Sequence, residues 1–315
     1  MSLIKDISDL LRISLCFLAS FVILLAGYIS YRFNRINETN GITQNFLQFI
    51  LQNEIVPIEG ILLGVFVPFL LIGGTHVIND YYDFENDKLN QRSDRPLVRG
   101  TIKPKTARNL AISFYILAIL ITIVEVIIYQ LSILFILAAL FFAILGIGYN
   151  LGIKKYGILG NIWVSTGYVA PFLMGTIIVG LVNDWVILNV LVLCFFILFL
   201  ALGREILKDI MDIEGDIATG KRSVAIVMGP SSAARISGVI YVLSVISGSL
   251  MLFLGFRNNW VFFIGFILLV FLLMATTIML IQKPTLENAV KGRKYTRWSL
   301  WWATALIFLS SFFVA

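Results

Sequence analysis

Long runs of apolar residues, separated by short polar segments, dominate the chain. The runs are continuous and show no alternation of apolar and polar residues, which favours helices over the strands of a membrane barrel. A helix needs about 20 mainly apolar residues to cross a bilayer. With that window the sequence predicts an all-α, polytopic membrane protein with about nine transmembrane helices, at residues 13–31, 58–79, 107–129, 131–150, 157–181, 185–205, 232–255, 259–281 and 298–314.

The composition is that of a protein surrounded by lipid. Of the 315 residues, 59% are hydrophobic and 13% are charged, whereas soluble domains carry about 25% charged residues. The two cysteines, Cys16 and Cys194, lie in apolar runs, and no spacing of cysteine and histidine indicates a disulfide framework or a zinc site. We therefore expect one membrane-embedded domain over residues 1–315.

The basic residues predict the orientation of the helices. With nine spans, 21 of the 24 Lys and Arg residues fall in connections on one side, and only Arg32, Arg35 and Arg257 fall on the other. Because positive residues accumulate on the cytoplasmic side, we expect a multi-pass protein of the cell membrane with a cytoplasmic N-terminus and an outside C-terminus. This asymmetry accounts for the net charge of +6, so a nucleic-acid partner is not needed to explain it.

Two groups of acidic residues lie at the predicted cytoplasmic ends of spans two and six. In the segment NDYYDFEND, an amide and three carboxylates fall within about 100° of one helix face; this first acidic set is Asn79, Asp80, Asp83 and Asp87. In the segment REILKDIMDIEGD, four carboxylates fall within about 60°; this second acidic set is Glu205, Asp209, Asp212 and Asp216. Gly215 is a candidate end for the second helix, which would leave Asp216 in a loop.

The two acidic sets predict a site for a divalent cation and a diphosphate. Like charges at these spacings destabilise a helix unless a cation neutralises them, and Mg²⁺ binds carboxylates together with substrate phosphates. Basic residues that could hold a diphosphate and stabilise it as it leaves surround both sets: Arg92, Arg95, Arg99, Lys154, Lys155, Arg204, Lys208, Lys221 and Arg222. A charged site next to apolar helices suits an isoprenyl diphosphate, which has a diphosphate head and an apolar tail. The loops that carry this site are expected in the cytoplasm.

The spacing of the two sets also suggests a duplication. Asp83 and Asp212 are 129 residues apart, with four spans between corresponding positions. We therefore predict a four-helix repeat with halves at about 10–150 and 157–281.

At this point the chain resembles the UbiA prenyltransferases. The string NDYYDFEND at 79–87 is similar to the first aspartate-rich motif of that family, and the run from Asp209 through Asp212 to Asp216 is similar to the second. The segments DRPLVRG at 94–100, YNLGIKKYGILGN at 149–161 and GKRS at 220–223 also resemble family segments. The likeness extends from about residue 8 to the end. Glu205 departs from the aspartate common in relatives, and the connection at 32–57 is longer than usual.

The resemblance implies a bundle of nine helices around a central cavity and two Mg²⁺ ions that hold the diphosphate. It implies Asn79, Asp83 and Asp87 as ligands of one ion. Asp209, Asp212 and Asp216 would be ligands of the other. Tyr149 with Lys154 or Lys155 would contact the diphosphate or stabilise the allylic cation, and the catalytic residues would be Asp83, Asp212, Tyr149, Lys154 and Lys155.

The family resemblance leaves the acceptor open. The run GREILKDIMDIEGD is most similar to the archaeal digeranylgeranylglyceryl phosphate synthases, a branch that transfers a geranylgeranyl group to geranylgeranylglyceryl phosphate in ether-lipid synthesis. A quinone-precursor prenyltransferase with an aromatic acceptor is the alternative. A membrane transporter is a third reading, although transporter charges usually lie near the bilayer midplane and these lie at one interface.

Overall fold

The computed structural model describes residues 3–35, 58–89, 92–179, 183–218 and 220–313, and within these ranges the chain is helical and contains no strand. The predicted long connection at 32–57 lies almost entirely outside the described residues. The helices are α1 (Leu3–Leu11), α2 (Ile13–Arg35), α3 (Ile58–Tyr82), α4 (Phe84–Leu89), α5 (Pro104–Ile128), α6 (Leu134–Leu151), α7 (Ile158–Val179), α8 (Asp184–Met211), α9 (Ile213–Ala218), α10 (Val224–Met228), α11 (Pro230–Leu250), α12 (Trp260–Gln282) and α13 (Leu286–Ser311).

Within the described residues, each predicted span lies mainly on one long helix, although the span predicted at 232–255 runs past the end of α11 at Leu250. Six helices in the described residues are long and apolar enough to cross a membrane, at Ile13–Phe33, Pro104–Ile128, Leu134–Leu151, Asp184–Met211, Pro230–Leu250 and Trp260–Gln282. The predicted class, an all-α protein with several membrane helices, is confirmed. The number of nine spans and the central cavity stay predictions.

Local sequence signals set where several helices begin. The side chain of Asn183 accepts a hydrogen bond from the Val186 amide at 2.9 Å, and Asn259 accepts one from the Phe262 amide at 2.9 Å. Such N-caps satisfy amides that have no partner within the helix. Pro104 and Pro230 occupy the first position of α5 and α11, where the missing amide hydrogen costs nothing.

The described residues divide into two compact units. The first takes those of 1–24 and 50–153, and the second takes those of 25–49 and 154–315. The predicted single domain and its four-helix repeat stay predictions.

In the first unit, close packing fixes α3, the helix that carries the first acidic set. α3 packs against α1, α5 and α6. Gly146 of α6 lies against Thr75 of α3 and Tyr115 of α5, and a Cβ at this position would overlap both side chains. The Thr75 and Tyr115 hydroxyls are 3.1 Å apart and hydrogen-bonded. Small residues that let backbones approach are typical of helix interfaces in lipid.

In the second unit, α8 carries the second acidic set and packs against α7, α11 and α13. Gly203 of α8 leaves room for the ring of Tyr241 of α11, and a Cβ there would overlap the ring. Ser237 donates a hydrogen bond to the Gly203 carbonyl at 2.7 Å, and Ser244 donates one to the Phe196 carbonyl at 2.9 Å. These contacts hold α8 in a defined register against α11.

Candidate active site

The first acidic set keeps helical spacing through a short break at Asp83. The Asp83 amide donates to the Asn79 carbonyl at 2.9 Å, and the Asp87 amide donates to the Asp83 carbonyl at 2.8 Å. These i to i+4 bonds preserve the step of four residues from α3 into α4. The Asn79 side-chain amide also donates to Asp83 Oδ2 at 2.9 Å, so these two predicted ligands contact each other directly.

Asp80 has a different environment from the rest of the first acidic set. Its side chain is 1% exposed and accepts hydrogen bonds from Arg12 Nη2 and Arg95 Nη1, each at 2.9 Å. A buried carboxylate with two guanidinium partners is an anchor for those cations. Asp87 lies further along the set, with its Oδ2 at 3.7 Å from Arg95 Nε. Burial raises the pKa of Asp87, and the charge of Arg95 opposes that rise.

Arg12 also fixes the tautomer of the His76 side chain. Arg12 Nη1 lies 3.3 Å from His76 Nδ1, and because a guanidinium can only donate, Nδ1 is the acceptor and Nε2 carries the hydrogen. His76 Nε2 is buried, and no hydrogen-bond partner for it lies among the described residues. Sequence reasoning gave Arg12 no role.

The loop after α4 holds the three predicted arginines in different ways. Arg92 forms an exposed bidentate ion pair with Asp94, with hydrogen bonds of 2.9 and 3.0 Å. Arg95 lies over Asp80. Arg99 binds the Asp6 carboxylate and donates to the Ser93 and Asp94 carbonyls at 3.2 and 2.9 Å. Arg95 and Arg99 are therefore oriented by buried acids, whereas Arg92 lies at the surface.

The second acidic set also continues across a helix break. Asp212 is the C-cap of α8, its amide donates to the Lys208 carbonyl at 3.1 Å, and the Asp216 amide donates to the Asp212 carbonyl at 2.8 Å. Gly215 lies inside α9, so the expectation that Gly215 ends the helix is wrong; the break comes at Asp212 and Asp216 remains helical.

Two carboxylates of the second set converge on one lysine. Lys221 Nζ lies 3.0 Å from Asp209 Oδ1 and 3.0 Å from Asp216 Oδ2. Burial by itself would lower the pKa of Lys221, but the two carboxylates outweigh it and raise that pKa. Lys221 is therefore a cation placed between two buried acids.

Asn161 is a member of this site to which sequence reasoning gave no role. Its Nδ2 donates to Asp209 Oδ2 at 2.7 Å, and the side chain is buried on α7. The bond fixes the Asp209 carboxylate so that its other oxygen points at Lys221. Asn161 lies within the quoted segment YNLGIKKYGILGN, but its partner is 48 residues away, and no local spacing signals that contact.

Arg204 and Glu205 form a neighbouring polar group on α8. Arg204 Nη1 donates to Glu205 Oε1 at 3.0 Å and to the Tyr168 hydroxyl at 3.3 Å. Burial lowers the pKa of Arg293 on α13, while the nearby charges of Asp212 and Glu205 act to raise it. Glu205 thus pairs with a cation and does not join Asp209 and Asp216 at Lys221.

Two loops that carry predicted phosphate-binding residues meet through their backbones. The Arg222 amide donates to the Lys155 carbonyl at 3.1 Å. Gly157 has a φ of +48°, and a Cβ there would collide with the Arg222 carbonyl oxygen, so this approach requires glycine. Lys154 and Lys155 belong to a single 3₁₀ turn. Tyr149 is partly exposed near the end of α6, and Lys208 is partly exposed on α8.

The carboxylates of the second acidic set suit Mg²⁺, both because their oxygens are the ligands it prefers and because two of them point at one place. Among the described residues, no group of three or more His, Cys, Asp and Glu side chains is gathered as in a closed metal site. Asp209 and Asp216 nonetheless direct one oxygen each at a common point that a cation occupies. Mg²⁺ usually takes one or two carboxylates and completes its coordination with water and substrate phosphates, which is the share that such a pair supplies.

Comparison with known proteins gives a consistent picture. The model of the UbiA prenyltransferase family matches residues 46–300. Digeranylgeranylglyceryl phosphate synthase of Saccharolobus solfataricus is 33% identical over 265 residues, which is 84% of this chain and 88% of that protein.

Solved structures agree with the helical architecture. A structure described as digeranylgeranylglyceryl phosphate synthase in membranes aligns with a TM-score of 0.72 and 26% identity, over 98% of each chain. A UbiA homolog from Archaeoglobus fulgidus, bound to DMAPP and Mg²⁺, has the same fold with a TM-score of 0.57 and 19% identity, over 96% of this chain and 99% of that one.

Proposed function

The chain belongs to the UbiA prenyltransferase family, and we propose that it transfers a geranylgeranyl group from geranylgeranyl diphosphate to geranylgeranylglyceryl phosphate, with release of pyrophosphate. The observation that carries this proposal is the 33% identity to a digeranylgeranylglyceryl phosphate synthase over 84% of the chain. The oxygen-rich acidic sets, with lysine and arginine beside them, supply the chemistry that a diphosphate donor needs.

Two groups of residues would hold Mg²⁺. Asp209 and Asp216, with Asp212 between them in sequence, would hold one ion, and Asn79, Asp83 and Asp87 would hold a second. Bound Mg²⁺ would bridge phosphate oxygens and neutralise the charge that develops on the leaving pyrophosphate. Asp80 is left out of this assignment because Arg12 and Arg95 already share its carboxylate.

The chain's own cations would complete the binding of the diphosphate. Lys221 offsets one of the two negative charges of Asp209 and Asp216 and would contribute its charge to the leaving group once those oxygens bind a metal ion. Lys155 and Arg222 lie on two loops that are joined by a backbone hydrogen bond, so both would present charge from one region. Apolar helices exclude water, which would otherwise convert an allylic cation to an alcohol.

The orientation proposed for the protein follows from its charges. Of the 24 Lys and Arg residues, 21 lie in the alternate connections that include the N-terminus and both acidic sets. This asymmetry supports a cell-membrane protein with both sets and the N-terminus in the cytoplasm and the C-terminus outside. The charged head groups of both substrates would then bind at the cytoplasmic side of the membrane.

Pyrophosphate release by the purified protein in lipid tests the proposal. The assay supplies geranylgeranyl diphosphate with either geranylgeranylglyceryl phosphate or an aromatic acid, each with Mg²⁺ and with excess chelator. We expect Mg²⁺-dependent release with the glycerol phosphate alone. Release with the aromatic acid alone would reassign the chain to quinone-precursor prenylation. Failure to release pyrophosphate with either acceptor would contradict the proposal.

Asn161→Ala should weaken the second acidic set without removing a metal ligand. Loss of its 2.7 Å bond to Asp209 frees that carboxylate to rotate, and loss of such an outer partner typically costs about 10- to 100-fold in metal affinity or activity. We expect the Mg²⁺ concentration for half-maximal activity to rise by that order. Thr166→Ala, five residues further along α7, is the control. An unchanged Mg²⁺ dependence in Asn161→Ala would remove Asn161 from the site.

A further inference from the structure

A basic cavity lies in the first unit, beside the first acidic set. Its volume is about 500 Å³, and the side chains that decide its charge come from α1, from the junction of α1 and α2, and from the loop after α4: Lys5, Asp9, Arg12, Asp94, Arg95 and Arg99. Four cations and two carboxylates therefore line it. Arg92 pairs with the Asp94 carboxylate at 2.9 and 3.0 Å, which offsets one of the two negative charges.

Three of the four cations are held in place by buried acids. Asp80, 1% exposed, binds both Arg12 and Arg95, so this group retains one net positive charge. Asp6, 4% exposed, binds Arg99. Each guanidinium has five N–H donors, and the side chains of Arg12, Arg95 and Arg99 remain 29%, 21% and 19% exposed. The cavity therefore presents oriented donors that the protein itself does not use fully.

The backbone conformation of Arg12 is strained, which indicates that the surrounding structure holds this residue in place. Arg12 has a φ of +52°, in the left-handed region that costs a residue other than glycine about 1–2 kcal/mol. This residue ends α1 and turns the chain into α2, and the turn brings its side chain to Asp80. Strained backbone of this kind is concentrated at ligand-binding and catalytic sites.

The ligand that suits the cavity is a phosphate monoester. Clusters of arginine and lysine whose guanidinium groups are fixed by buried carboxylates bind phosphate through charge-assisted, two-pronged hydrogen bonds. In the proposed reaction both substrates carry phosphate. In the proposed function Lys155, Lys221 and Arg222 serve the donor diphosphate, and an acceptor phosphate needs further cations to offset the repulsion between the two heads. Arg95 and Arg99, which sequence reasoning grouped with the diphosphate-binding residues, are reassigned here to that role.

We infer that this cavity binds the phosphate head of the acceptor, geranylgeranylglyceryl phosphate. The inference rests on the proposed function and extends it, since it assigns the choice of a phosphorylated acceptor to Lys5, Arg12, Arg95 and Arg99. A phosphate monoester carries a charge of about −1.5 to −2 and three acceptor oxygens, so it gains more from these four cations than the single carboxylate of an aromatic acid.

The test separates acceptor binding from donor binding. Lys5→Ala removes an exposed cation from the cavity, and Arg99→Lys keeps a charge for Asp6 but removes the planar fork. Because a hydrogen bond to a charged group contributes enough to change affinity by about tenfold or more, each variant should raise the KM for geranylgeranylglyceryl phosphate by about tenfold. The KM for geranylgeranyl diphosphate should change less than about twofold. Lys105→Ala, an exposed lysine of α5 outside the cavity, is the control.

Binding measurements without donor keep the inference independent of turnover. Calorimetric titration of geranylgeranylglyceryl phosphate into the wild-type protein should show binding that weakens in Lys5→Ala, that inorganic phosphate competes away, and that is much weaker for the dephosphorylated analogue. If the wild type binds this lipid but does not turn it over, the proposed function fails and the cavity assignment stands.

Three results would overturn the inference. One is an equal rise in the KM for both substrates, which would assign the cavity to the donor diphosphate. Another is an unchanged acceptor KM in both variants. The last is an effect of the variants that is seen in vesicles with anionic lipid and disappears in neutral phosphatidylcholine vesicles, which would assign the cavity to lipid headgroups.

Discussion

Replacing Asp83 with alanine should reduce prenyl transfer by on the order of 10²- to 10³-fold, the range found when one group that stabilises developing negative charge is lost. Asp83 lies between α3 and α4 and is only partly buried, so the substitution removes a carboxylate without opening a cavity in the core. Asp212→Ala should have an effect of the same order, because Asp212 takes the corresponding place between α8 and α9. Steady-state pyrophosphate release at saturating Mg²⁺ measures both.

Neighbouring acids provide matched controls for this prediction. Glu85 and Glu214 are exposed residues of α4 and α9, each two positions from the aspartate it controls for. Alanine at either position should leave activity within about twofold of wild type, as expected for surface substitutions. Near-normal turnover in Asp83→Ala or Asp212→Ala, with the protein intact by thermal unfolding, would contradict the metal assignment of that set.

Asp80→Asn should be the most destabilising single substitution near the site. It removes the charge that Arg12 and Arg95 share at 2.9 Å, which leaves the largely buried Arg12 without this counter-ion. Arg95 is left with the more distant Asp87 at 3.7 Å and Asp94 at 3.9 Å. Removal of one partner from a buried ion pair costs about 3–5 kcal/mol. We expect a clear fall in the thermal unfolding midpoint in detergent, measured with neither substrate nor metal present.

Asp94→Asn is the control for the stability measurement. Asp94 is 61% exposed and forms its ion pair with Arg92 at the surface, where such pairs contribute about 0–1 kcal/mol. Its unfolding midpoint should stay close to that of the wild type. If Asp80→Asn and Asp94→Asn unfolded at the same temperature, the anchoring role of Asp80 would be wrong.

The parts of this protein that follow from local pattern could be predicted from its sequence. Continuous apolar runs located the long helices, because burial in lipid requires that length. A 100° step per residue placed Asn79, Asp83 and Asp87 on one face, and the helical backbone bonds through Asp83 keep that spacing. The basic residues beside the acidic sets could also be recognised, because they lie close to those sets in the sequence.

Contacts between distant segments could not be predicted in this way. Asp80 shares the helical face of the first acidic set, yet its partner Arg12 is 68 residues away. The bond from Asn161 to Asp209 spans 48 residues. Both depend on how one helix packs against another, and a single sequence carries no periodic signal for that. Gly215 was misread for a related reason: glycine often ends helices, but here the helical turn continues past it.

Lys221 gives the second acidic set a counter-ion that is covalently part of the chain. Its ammonium lies 3.0 Å from each of two buried carboxylates and cannot diffuse away when free magnesium is scarce. Small metal-dependent domains unfold without their ion because metal binding supplies the free energy of their folding. In this chain, a bound Mg²⁺ would replace a cation that already offsets one of the two carboxylate charges, so we expect the segment to fold before the metal ion binds.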